Sequence, residues 1–158
     1  MNQRTVALLI VGAIALFLLV AAVVAGLVIG GVIGAIANKD GRIQVRTEQP
    51  TSVQDLKGSY DIGAGSLELN LGKLDLPEGT SDVQARVGDG ALTVVVPKDV
   101  SVRVEAKAND GALSILGKDS SGEDLQRSYA QQGYPQAARR LSLDLSVDKG
   151  VISVQRAD

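Results

Sequence analysis

Hydrophobic and polar positions follow three different patterns along the chain. From Val6 to Ala37 they do not alternate at all: VALLIVGAIALFLLVAAVVAGLVIGGVIGAIA is an unbroken run of apolar side chains and glycine without a charge. Residues 38–57 are polar and irregular around Pro50 and read as a linker. From residue 58 to 158 the period is two. Leu67, Leu69 and Leu71 alternate with Glu68 and Asn70, and Leu92, Val94 and Val96 with Thr93 and Val95. Val102, Val104, Ala106 and Ala108 alternate with Arg103, Glu105 and Lys107, and Leu141, Leu143, Leu145 and Val147 with Ser142, Asp144 and Ser146. Such alternation marks strands with one buried and one wet face. No helical period competes with it, so the prediction is an all-β domain over 58–158 behind a membrane anchor over 1–37.

A bilayer-spanning helix needs about 20 apolar residues. The run 6–37 exceeds that, and two spans with a turn between them would be cramped, so it reads as one transmembrane α-helix. A cleaved signal peptide, with Ala35-Ile36-Ala37 as its processing site, is disfavoured because its apolar region would be more than twice the usual length. Orientation stays open. Arg4 flanks one side and Lys39, Arg42 and Arg46 the other, so the charge count and the signal-anchor pattern point in opposite directions. Ala22, Gly26, Gly30 and Gly34 recur every fourth residue and form a stripe of small side chains suited to close helix packing, against itself or a partner helix.

Within the β domain one phrase occurs four times: Gly65-Ser-Leu-Glu-Leu69, Gly90-Ala-Leu-Thr-Val94, Gly111-Ala-Leu-Ser-Ile115 and Gly150-Val-Ile-Ser-Val154. Asp89-Gly90 and Asp110-Gly111 are strong signals for two-residue hairpins, which would pair Val87 with Leu92, Ala108 with Leu113 and Val147 with Ile152. That architecture is an antiparallel, hairpin-built β-sandwich. The same glycines could instead be corners of stacked solenoid coils, which their spacings of 25 and 21 residues favour. Residue parity satisfies both. Residues 117–140 interrupt the repeat with GKDSSGEDLQRSYAQQGYPQAARR and are expected to be an inserted polar loop. Two of the domain's tyrosines, Tyr129 and Tyr134, lie there and are candidate partner contacts, although covering an end of the β core is the favoured explanation of them.

Composition removes whole classes of chemistry. The 158 residues include no His and no Cys, which excludes Ser-His-Asp and Cys-His nucleophiles, imidazole or thiolate metal sites and disulfides. With 16 Lys+Arg against 18 Asp+Glu the net charge is −2, and no basic face points to nucleic acid. Glu68, Glu105 and Asp144 fall on wet strand faces, and Asp89 and Asp110 are explained by turns. No set of residues acquires a catalytic role, no metal or cofactor site is expected, and no small-molecule substrate can be assigned. The domain reads as a non-catalytic binding or assembly module.

The stretches SYDIGAGSLELNLGKLDLPEGTSDVQARVGDGALTVVVPKDVSVRVEAKANDGALSILG and GYPQAARRLSLDLSVDKGVISVQR resemble the C-terminal domain of the LiaF-like family of bacterial cell-wall-active-antibiotic response proteins, a toastrack-type domain. The likeness runs from about Val53 to Arg156. It implies a right-handed, β-helix-like solenoid, which favours the coil architecture, and a role in sensing or relaying envelope stress. The family contributes no catalytic residues. The expectation is a single-pass protein of the cell membrane whose partners are the lipid bilayer and either a membrane signalling protein or a second copy of itself.

Overall fold

The structure is a computed structural model and describes residues 43–158. The apolar segment 6–37, with its stripe Ala22, Gly26, Gly30 and Gly34, lies outside the described residues. The described chain is all-β. Its strands are β1 (Gln44–Glu48), β2 (Ser59–Asn70), β3 (Gly79–Val96), β4 (Ser101–Ile115), β5 (Lys118–Ala130) and β6 (Arg139–Arg156), with one 3-10 turn at Tyr134–Gln136. They form one sheet in the order β1-β2-β3-β6-β4-β5, parallel throughout except for the β4–β5 pair.

The repeated glycines form a single line across this sheet: Gly65 pairs with Gly90, Gly90 with Gly150, and Gly150 with Gly111. Each has a φ between 130° and 148°, where a Cβ is strained. Each also approaches its neighbour closely. A Cβ on Gly90 would lie 1.8 Å from the Gly65 carbonyl oxygen, and one on Gly150 would lie 1.7 Å from that of Gly90. The glycine shifts the alternation by one residue. Inward positions run Val83, Ala85 and Val87 before it and Leu92, Val94 and Val96 after it, so 87 and 92 are five apart instead of an even number. The same step separates Ile62 from Leu67, Ala108 from Leu113 and Val147 from Ile152. Each strand is thereby divided into a first and a second arm, and the inward side chains of both arms join one continuous core.

Hairpins at these glycines are therefore replaced by strands that run straight through them. Val87, Ala108 and Val147 are all buried as expected, yet Val147 pairs with both Val87 and Ala108, and Ile152 with both Leu92 and Leu113. The physical reason lies in the aspartates. A type I′ hairpin turn needs positive φ at both central residues, and neither Asp89 nor Asp110 has it.

Two further expectations change. Residues 118–130, expected to lie in an inserted loop, are the edge strand β5, which folds back antiparallel on β4. The reversal is made by Leu116 and Gly117, with φ of 49° and 82°, which provides the positive-φ pair that Asp89-Gly90 lacks. Within the segment expected to be an irregular linker, Gln44–Glu48 adds β1 to the other edge.

β6 enters last and lies between β3 and β4. Leu141, Leu143, Leu145, Val147, Ile152 and Val154 of β6 are at most 2% exposed, making it the central strand of the core. Its end is fastened by Arg156. Nη1 donates to the carbonyls of Pro97 (2.9 Å), Lys98 (3.2 Å) and Val100 (3.2 Å) in the β3–β4 connection, and Nη2 donates to Gln131 beyond β5.

Candidate interaction faces

Parallel register turns the outward residues of each arm into rows across the sheet, about 4.8 Å per step. On the first arm one row reads Asp61, Arg86, Ser146, Lys107, Gln126 and the next Ser59, Gln84, Asp144, Glu105, Ser128. Asp61, Gln84, Arg86, Lys107 and Asp144 border a shallow groove of about 320 Å³. Arg86 Nε donates to Ser146 Oγ at 3.4 Å, whereas Asp61 has no cation within 4.0 Å among the described residues. A second groove of about 430 Å³ lies between the β3–β4 connection and the turn before β6, with Lys98, Asp99, Gln131 and Arg139 on its wall. There Arg139 pairs with Asp75 (3.1 Å) and Asp99 (3.5 Å).

The second arm presents a different surface. Its rows are Val45, Ser66, Ala91, Val151, Ala112, Ser121 and Thr47, Glu68, Thr93, Ser153, Ser114, Asp119. Most of these side chains are small, and Ser153 is buried. Glu68, expected to be an ordinary solvated carboxylate, is half-buried here. Its Oε2 is out of contact with solvent and has no hydrogen-bond partner, and burial raises its carboxyl above the ordinary value. Sequence reasoning could not foresee this, because Thr47 on β1 and Thr93 on β3, which flank Glu68, become its neighbours only through the register.

The two tyrosines of the 117–140 segment occupy different elements. Tyr129 is on β5, where its ring packs against the core and lies 5.2 Å from Lys118 Nζ. Tyr134 opens the 3-10 turn and is half-buried. The third, Tyr60, is in the core and its hydroxyl accepts from the Lys57 N–H at 3.1 Å. Among the described residues no group of three acidic side chains is placed to hold a metal ion. What the faces offer is regularly spaced hydrogen-bonding and charged groups.

Comparison with known proteins follows the same lines. Residues 41–154 match the family model described as cell wall-active antibiotics response LiaF, C-terminal. The chain belongs to this LiaF-like family. Protein LiaF of Bacillus subtilis (strain 168) is 27% identical over 108 residues, which are 68% of this chain and 44% of that protein. The chain thus spans less than half the length of that relative. The crystal structure of a candidate cell adhesion protein of Clostridium sporogenes superposes with a TM-score of 0.44 at 22% identity, covering 63% of this chain and 54% of the other.

Proposed function

We propose that this LiaF-like chain is a membrane-anchored accessory regulator of the bacterial cell-envelope stress response, and that its β domain is a non-catalytic binding module. The observation that carries this reading is the family match, which takes in all six strands except the last two residues of β6. Residues 6–37 provide the anchor, with the bilayer as first partner. The parallel ladder with its glycine corners is taken as a right-handed, β-helix-like solenoid, and its outward rows as the surface that meets a signalling protein. A second reading, a self-assembling surface domain, draws on the edge beside β1, where Ile43 and Val45 are 69% and 67% exposed. The test is deletion of the gene, with an envelope-stress reporter followed during challenge by a cell-wall-active antibiotic. The proposal expects the induction curve to change. A curve identical to that of the parent strain would contradict it.

A further inference from the structure

The two ends of the sheet are finished differently. At one end β5 covers β4 from Arg103, paired with Ala130, to Ile115, paired with Lys118. The outer edge of β5 is broken by Gly122 and Asp124, with φ of 141° and 49°, and carries Asp119, Glu123 and Asp124. Irregular backbone and charge keep an edge from templating another strand. At the other end β1 covers only Gly65–Leu69 of β2. The first arm of β2, Ser59–Ala64, pairs with β3 on one side and with no described residue on the other. Among the described residues that leaves about 20 Å of strand edge with its outward N–H and C=O groups unpaired.

Gly63 marks the same edge. Five glycines of β2, β3, β4 and β6 make room for a carbonyl of the strand on their β1 side: Gly65 for Gln44, Gly88 for Gly63, Gly90 for Gly65, Gly150 for Gly90 and Gly111 for Gly150. Gly63 has no positive φ to require glycine, and a Cβ built on it would meet nothing within 4 Å. Its room is of the same kind and no described residue fills it. Two residues away on the outer face is Asp61, exposed and without an ion pair among the described residues.

We propose that the Ser59–Ala64 edge receives an extended basic segment of a partner protein by parallel strand addition, with a carbonyl of that segment in the space beside Gly63 and a Lys or Arg opposite Asp61. Such a segment continues the row in which Asp61 stands beside Arg86. A second copy presenting the same edge fits less well. A twofold would make the strands antiparallel and bring a second Asp61 to the same short edge. This names the kind of partner for the binding role proposed above and rests on that reading, but its test is made in solution and does not depend on the stress response.

The probe is a fluorescein-labelled seven-residue peptide alternating valine with lysine, beside a counterpart alternating valine with glutamate. Each is titrated by anisotropy against the full chain in detergent micelles. The lysine peptide should bind saturably and the glutamate peptide should not. Gly63→Val, which fills the vacant space and should melt like the parent protein, should abolish binding. Asp61→Lys should exchange the preference, losing the lysine peptide and gaining the glutamate one. No saturable binding, or binding that Gly63→Val leaves unchanged, would overturn the proposal. So would a dimer that Gly63→Val dissolves, which would assign the edge to a second copy. A melting temperature lowered by Gly63→Val without peptide would assign it to the chain's own N-terminal segment and also overturn the proposal.

Discussion

Gly150→Ala is a one-carbon test of the stacked corner. Gly150 lies in the central strand, with φ at 141° and the Gly90 carbonyl oxygen 1.7 Å from where a Cβ would be. Backbone held in a region that side chains rarely adopt costs about 1–3 kcal/mol. The contact adds to this. Because the obstructing atom belongs to backbone paired on both sides, relief must come from parting β6 from β3. Losing even two ladder hydrogen bonds at about 1 kcal/mol each brings the total to about 3–5 kcal/mol. For a domain of this size, about 3–5 °C of melting temperature is lost per kcal/mol, so the variant should melt about 10–25 °C lower. The assay is a thermal melt of the full chain in detergent, followed by the far-ultraviolet circular dichroism of the β-sheet. Gly63→Ala is the internal control, since its φ is ordinary and its surroundings are open, and it should shift the melt by no more than a few degrees. If Gly150→Ala melts with the parent protein, the glycines do not stack and the parallel register is wrong.

Three further outcomes follow from the same geometry. Leu143→Asp places a carboxylate at a position 1% exposed in the central strand and should abolish the cooperative melt, whereas Leu143→Met should keep it. Glu68→Gln should raise the melting temperature at neutral pH. The raised carboxyl pKa means that the folded state is favoured while Glu68 is protonated and penalised once it ionises, so the gain should appear above the raised pKa and vanish well below the ordinary value of 4.5; an equal gain at all pH values would refute the burial argument. Arg156→Ala removes donors to three carbonyls and should cost about 1–3 kcal/mol in a denaturant titration, with Arg156→Lys intermediate because an ammonium lacks the planar fork; parent-like midpoints for both would refute the anchoring role.

Much of the strand content was legible because burial on one face imposes a period of two. Val102, Val104, Ala106 and Ala108 of β4, or Leu141 to Val147 of β6, need no partner strand to be recognised as inward. The four Gly-x-Leu-x-Val phrases were legible as equivalents, and the structure brings their glycines into one row. What the phrases do there was not legible. Asp-Gly supports a hairpin or a corner equally well until the φ of the aspartate is known. Strand order was also hidden. Leu92 and Leu113 are interchangeable as neighbours of Ile152, and nothing local states that β6 must enter between β3 and β4. β5 escaped because an edge strand buries little: of its thirteen residues, Leu125 and Tyr129 pack on the core, leaving no alternation to detect. Its turn, Leu116-Gly117, lacks the Asn or Asp that normally announces positive φ. The candidate faces were the least legible part, since Asp61 beside Arg86, or Glu68 between Thr47 and Thr93, are products of register alone. The family resemblance was readable because it rests on hydrophobic spacing, which the fold preserves.

The most direct test of the account is complementation of a deletion strain under challenge by a cell-wall-active antibiotic, with expression of each form checked by immunoblot. A tethered binding module predicts that the full chain restores the parent reporter response, while Leu143→Asp and a form lacking residues 1–37 do not. Restoration by the untethered domain, or by Leu143→Asp, would contradict the claim that a folded β domain held at the membrane carries the function.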